Sequence, residues 1–279
     1  MQKSLDDLIA LLDLEELEVN YFRGRCREGW QRVFGGQVLA QALVAAGRSV
    51  ADGVAHSFHA YFLRPGDSAI PILYEVDRTR DGRTFTTRRV TAIQHGLAIF
   101  HLEASFQRPE PGPEHQDAMP DVPDPESLPT WQQRMAPLAS QPELVARIAA
   151  KAPDRIKNWL APDRPIDIRH VTPVDPIAPG KLPARLQVWI RADGRLPDSR
   201  LLHQCVVAFA SDMTLLDAAA LPHGISWSDG SYMVASLDHA MWFHREFRAD
   251  EWLLYDQQSP SAGGARGFST GRMFRADGR

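Results

Sequence analysis

Two polar residues sit where polar residues are unusual. Asp212 follows the apolar run Val206–Ala210, with Ser211 between. A carboxylate beside a buried helix face needs hydrogen-bonding or charged partners. Position alone leaves two readings: Asp212 ends a helix and tips into water, or it stays at the core margin and handles protons. Ser236 lies just before Asp238-His239. Its hydroxyl either bonds the backbone of a strand or joins the same site.

Other candidate constellations fail on context. Gly267-Phe-Ser269-Thr-Gly271 has the spacing of a nucleophile elbow, but that motif needs a following helix and then an acid and a histidine. Only Arg272–Arg279 follow, and none is His. There is no Walker loop and no Gly-x-Gly-x-x-Gly. His56 and His59, three apart in an aromatic-rich strand, face opposite sides and do not share a metal. Cys26 and Cys205 are far apart and have no metal-type spacing. No metal site is expected.

The elements that must position Asp212 and Ser236 are legible from periodicity. Ser4–Leu14 reads as an amphipathic helix with a Leu5, Leu8, Ile9, Leu12 stripe, and Ser4 with Asp7 resembles a capping box. Gly35-Gly36 opens a second helix, Gln37–Ala46, with Gly47 as its stop. Its near-continuous apolar residues predict burial on all sides. Strands are expected at Ser57–Leu63, Ile72–Val76, Thr84–Ala92 and Ala98–Phe106, with Asp81-Gly82 as a hairpin turn. Prolines make residues 108–129 an extended linker. A helical patch spans Trp131–Leu160, broken at Pro137, Pro142 and Pro153. Asp198 is then expected to cap a helix running through Leu201, Leu202, Cys205, Val206 and Phe209. Strands follow at Met233–Phe243, Trp252–Gln257 and Gly267–Arg275.

This order repeats. His59-Ala-Tyr-Phe62 returns as His239-Ala-Met-Trp-Phe243, Leu73-Tyr-Glu75 as Leu254-Tyr-Asp256, and His95-Gly96 as Asp277-Gly278. A long internal repeat means one fold unit used twice. The first copy continues from Leu97 to Gln107, whereas only Arg279 follows the second. The reading therefore expects the last strand of the second unit to be missing and a sheet edge to be exposed.

Bulk properties narrow the classes of function. The 279 residues carry a formal charge of −4, with 44% apolar and 24% charged residues. That is an ordinary globular composition without the basic footprint of a nucleic-acid binder. No apolar run is long enough to span a bilayer. The N-terminus lacks a signal-peptide core, and the cysteine usage suits a reducing cytoplasm.

Five stretches together resemble the bacterial acyl-CoA thioesterase II family: Val33-Phe-Gly-Gly-Gln-Val38, His56-Ser-Phe-His-Ala-Tyr-Phe-Leu-Arg-Pro-Gly-Asp67, Ala210-Ser-Asp-Met213, Pro222-His-Gly224 and Leu237-Asp-His-Ala-Met-Trp-Phe-His-Arg245. The resemblance implies an α+β double hotdog, two fused antiparallel sheets each wrapped around a central helix. On this reading residues 1–107 form the first unit, 108–160 a linker and helical segment, and 161–279 the second unit. The implied reaction is hydrolysis of fatty acyl-CoA to free acid and CoA without a cofactor. Its implied catalytic group is an Asp, a Ser or Thr, and a Gln that jointly activate a water. The first two fall on Asp212 and Ser236. The Gln belongs to a final strand that this sequence does not reach.

The chemistry suits these types. An ionised aspartate takes a proton from water within hydrogen-bond reach, and helix-start amides at Gly35 and Gly36 suit a developing oxyanion. His56, Phe62 and Trp242 are further substrate-binding candidates, with Phe58, Met241 and Phe243 offering an apolar lining. The expected partners are acyl-CoA and further copies of the chain, with no nucleic acid and no membrane. Two alternatives remain open: a catalytically weak acyl-CoA binder, and a hotdog enoyl-CoA hydratase.

Overall fold

The structure is a computed structural model that describes residues 2–27, 32–161, 163–226 and 232–279. Helix α1 (Gln2–Leu12) buries Leu5, Leu8 and Leu12 on one stripe. It begins two residues before Ser4, so the expected capping box falls inside the first turn. Strands β1 (Glu15–Glu18) and β2 (Tyr21–Gly24) lead to helix α2 (Gly35–Arg48). Every α2 residue from Gly36 to Ala46 is buried, as its apolar run requires. Strands β3 (Val54–Phe62), β4 (Ile72–Asp81), β5 (Phe85–Gln94) and β6 (Leu97–Gln107) complete the first copy. His95 and Gly96 turn the β5–β6 hairpin at φ 51° and 71°, left-handed values that a two-residue hairpin demands.

The proline-rich segment after β6 is extended but not loose. Met119, Val122 and Leu128 pack on Trp189, Leu254 and Phe274, and Trp189 Nε1 donates to the Pro123 carbonyl at 3.0 Å. Helices α3 (Trp131–Ala139), α4 (Pro142–Lys151) and α5 (Pro153–Trp159) follow. Pro142 and Pro153 each sit in a first helical turn, where the missing N–H costs nothing. Pro137, expected to break the helix, lies inside α3 instead. The capping box between Thr130 and Gln133 anchors that short helix despite it.

The second copy consists of β7 (Ile166–His170), β8 (Arg185–Ala192), α6 (Arg200–Ser211), a short α7 (Asp217–Ala220), β9 (Asp238–Trp242), β10 (Leu253–Gly263) and β11 (Arg266–Arg275). Ser199, not Asp198, caps α6, its side chain accepting from the Leu202 amide. The Asp198 carboxylate instead meets Arg248 at 3.0 Å. Strand β9 is shorter than expected because its ladder with β3 starts only at the Tyr61–Asp238 pair. Ser236 therefore precedes the strand.

The strands form two antiparallel sheets, β1-β2-β4-β5-β6-β3-β9 and β11-β10-β8-β7. The copies join where β3 pairs with β9 and where α2 packs on α6. In the first copy β6 bridges β5 and β3. Among the described residues no strand bridges the equivalent pair, β11 and β9. One core runs through both copies, from Leu39 and Leu43 of α2 to Cys205 and Val206 of α6. Burying each such aliphatic side chain contributes about 1.5–3 kcal/mol. Among the described residues no helix is long and apolar enough to cross a membrane.

Candidate active site

The site forms where the start of α2 meets the end of α6. Phe34 precedes α2 and has no side-chain acceptor to cap it. A helix start leaves its first amides open, and here a residue from the other copy takes one. Asp212 is the C-cap of α6, with φ −84° and ψ 0°, and its carboxylate accepts the Gly36 amide. The positive end of α2 favours an anion at that point. Both glycines are needed for the approach. A Cβ on Gly35 would lie 2.6 Å from Asp212 Oδ2 and 3.2 Å from Phe62 Cε1, and one on Gly36 would lie 2.4 Å from the Phe209 carbonyl.

Ser236 Oγ donates to Asp212 Oδ1 at 3.0 Å. The preceding loop is pinned by the Phe62 amide, which donates to the Leu237 carbonyl at 2.9 Å. Burial of Asp212 raises its carboxyl from 3.8 to about 6, against the lowering effects of Ser236 and Gly36. Desolvation thus outweighs both hydrogen bonds, and the carboxyl titrates close to neutrality.

The structure brings together Asp212, Ser236, Gly35, Gly36 and Phe62, and separates two other sequence candidates from them. Along β9, His239 and Met241 turn inward while Asp238, Ala240 and Trp242 turn outward. Trp242 is 55% exposed and meets His59 edge-on, with ring centroids 5.2 Å apart. His56 lies at a bulge in the β3–β6 ladder. Its Nε2 is 2.7 Å from Ser105 Oγ, and its ring meets Phe85, both on the outer face. Phe62 forms an apolar wall beside Gly35, and its ring lies 5.0 Å from that of Phe100. The Gly36 amide is engaged by Asp212, which leaves Gly35 as the outermost amide of the helix start.

Sequence reasoning missed the inward neighbour. His239 Nδ1 lies 4.0 Å from Asp212 Oδ1, and its ring is almost fully buried. Its Nε2 lies 3.0 Å from Ser211 Oγ, and its ring stacks on Phe58 with centroids 6.2 Å apart. Burial lowers its pKa to about 4, so it is neutral at physiological pH. Strand alternation was the available signal: it places His239 on the core side, opposite Trp242.

Comparison with known proteins bears on both halves. A family model described as acyl-CoA thioesterase matches residues 163–279, and one described as acyl-CoA thioesterase N-terminal domain matches residues 26–107. Acyl-coenzyme A thioesterase 8 of Homo sapiens is 42% identical over 275 residues, covering 96% of this chain and 84% of that protein. Acyl-CoA thioesterase 2 of Haemophilus influenzae is 38% identical over 281 residues, covering 100% of this chain and 95% of that protein. The crystal structure of the acyl-CoA thioesterase II TesB2 from Mycobacterium marinum superposes with a TM-score of 0.76 at 45% identity, covering 97% of this chain and 93% of that one. With both copies matched in order and the fold shared, the chain belongs to the acyl-CoA thioesterase II family and is a double hotdog.

Proposed function

We propose that this protein hydrolyses fatty acyl-CoA thioesters with water as the nucleophile and Asp212 as the base. The observation that carries the reading is the Ser236–Asp212 hydrogen bond of 3.0 Å at an uncapped helix start. Asp212 takes a proton from a water that it shares with Ser236, and the water oxygen bonds to the thioester carbonyl carbon. Negative charge gathers on the carbonyl oxygen, where the Gly35 amide and the α2 dipole stabilise it. The intermediate then expels the CoA thiolate, and the proton on Asp212 passes to that sulfur. A free acid and CoA result, and the base is regenerated.

The acyl chain runs along Phe62, with Phe58 and Met241 beyond it on the same inner faces. Residues 1–107 and 161–279 act as the two hotdog units, and 108–160 connects them. The protein works in the cytoplasm, a reading that rests on its two free cysteines. It assembles as a homo-oligomer, supported by the exposed Tyr61 and Trp242 on the outer sheet face.

Single-turnover thiol release from palmitoyl-CoA, set beside the binding constant of the same ligand, tests the proposal. Release of one equivalent of CoA that slows by about 10²–10⁴ in Asp212→Asn and by about 10–100-fold in Ser236→Ala supports it. Tight binding without CoA release in the wild-type protein overturns it in favour of a binder.

A further inference from the structure

The imidazole beside the base has a fixed proton. Ser211 Oγ lies 2.8 Å from the Ala208 carbonyl and 3.0 Å from His239 Nε2. A carbonyl can only accept, so the single hydroxyl proton goes to Ala208 and Ser211 must accept from His239. Nε2 therefore carries the imidazole proton. In the neutral ring Nδ1 is then bare, and it is Nδ1 that lies 4.0 Å from Asp212 Oδ1.

We propose that His239 is a positioning residue for the base. By donating Nε2–H to Ser211 it keeps Nδ1 unprotonated and turned toward Asp212, so the carboxylate accepts from Ser236 and Gly36 but never from the imidazole. This rests on the reading of Asp212 as the base. Each added donor stabilises a carboxylate in its charged form and weakens it as a base. The opposite tautomer would put a proton on Nδ1, 4.0 Å from Asp212 Oδ1, and a shift of about 1 Å would then complete such a donor bond. Ser211 prevents it by offering Nε2 a lone pair and no proton. The ring is held from its other side by Phe58, and β9 carries it on the strand that follows Ser236. His239 thereby also ties the end of α6 to the segment bearing the catalytic hydroxyl.

The other titratable groups around the pair leave this arrangement intact. Asp238 lies on the same strand, turns outward and is exposed. Tyr255 of β10 donates its phenol to the Ser211 carbonyl at 3.3 Å. Burial and the nearby Asp212 push that phenol upward, so it stays neutral. Among the described residues, β3 faces the pair with Phe58, Ala60 and Phe62 and α2 with Gly35 and Gly36, none of them titratable.

The test combines tautomer and pH profile. Two-bond proton–nitrogen correlation spectra of nitrogen-15 histidine-labelled protein, with His239 assigned by loss of its signals in His239→Gln, should show the Nε2–H form. The Nδ1–H form in the wild-type protein overturns the proposal. Ser211→Ala removes the lone pair that fixes the tautomer without touching the catalytic group. It should convert His239 to Nδ1–H and move the ascending limb of kcat against pH down by about half a pH unit or more, with KM within about twofold. His239→Asn places an amide donor near the Nδ1 position and should shift the profile the same way. His239→Gln can still donate to Ser211 and should keep the wild-type midpoint. Unchanged midpoints in both Ser211→Ala and His239→Asn overturn the proposal. Should His239→Asn fail to fold, Ser211→Ala and the wild-type spectrum decide it. If Asp212→Asn keeps its turnover, the base reading fails, whereas the spectrum still reports the tautomer on its own.

Discussion

Replacing Asp212 by Asn should trade activity for stability, and the trade should depend on pH. Burial raises the Asp212 carboxyl from 3.8 to about 6, and its side chain is only 12% exposed. At about 1.36 kcal/mol per pH unit, a difference of that size means that the ionised group destabilises the fold by about 3 kcal/mol. Below about pH 4 both the folded and unfolded chains hold the proton, and nothing is lost. Between about pH 4 and 6 the unfolded chain releases it first, so stability falls as pH rises. Above about pH 6 the full cost applies. Asn keeps an oxygen for Ser236 and Gly36 but carries no charge. The variant should therefore match the wild type near pH 4 and exceed it by up to about 3 kcal/mol at pH 8. Loss of the base should lower kcat by about 10²–10⁴. Denaturant unfolding across pH, paired with CoA release by a thiol-reactive chromophore, measures both. A stability difference that stays flat with pH, or a variant turning over within about tenfold of wild type, would refute the assignment of Asp212 as a buried, ionising base.

Four further outcomes follow from the same geometry. Ser236→Ala should lower kcat by about 10–100-fold with little change in KM, since only one hydrogen bond to the base and water is lost; steady-state thiol release reads this. Gly35→Ala should abolish turnover while the chain still folds, because the methyl would meet Asp212 Oδ2 at 2.6 Å and displace the carboxylate; activity and near-ultraviolet circular dichroism together report it. Trp242→Ala should leave the single-turnover rate within about threefold of wild type, because that side chain lies on the outer face. Arg88→Met should lower stability by about 3 kcal/mol or more yet leave kcat unchanged at permissive temperature. Arg88 is 1% exposed and donates to Ser49 Oγ, the Ser49 and Arg80 carbonyls, and Asp81, so its loss strands the buried Ser49 acceptors at the opposite end of α2 from Asp212.

The fold was legible wherever local pattern and burial agree. The all-apolar run of α2 and the alternation of β6 were read to within a few residues. The β5–β6 turn was marked by His95-Gly96. What misled was chemistry decided by neighbours distant in sequence. Asp198 is a good cap by type, but Arg248 draws its carboxylate away and Ser199 takes the position. Ser236 reads as a strand residue, yet its hydroxyl is drawn onto Asp212 before the ladder with β3 begins. Trp242 and Met241 looked equally suited to an acyl lining, and the strand period of two assigns them to opposite faces. Once its register is known, the same period would have exposed His239.

Why only one of the two copied units places a carboxylate at this helix junction follows from the helix ends. Ser49 closes α2 with φ −87° and ψ −3°, almost the values of Asp212 at the end of α6. The backbone thus offers the same place twice, and the side chain differs. In the first copy Ser49 Oγ donates to the Ala46 carbonyl and accepts from Arg88 Nε, so every polar atom is engaged within the fold. The matching α6 start is already capped by Ser199, so it does not call for an acid from the other copy. At α2 the situation is reversed: a helix start without a cap meets the C-cap carboxylate of α6 from the other copy. The missing cap at Phe34 and the carboxylate of Asp212 are therefore one feature seen from two chain positions. It is the interface between the copies, rather than either unit alone, that buries this carboxyl and raises its pKa.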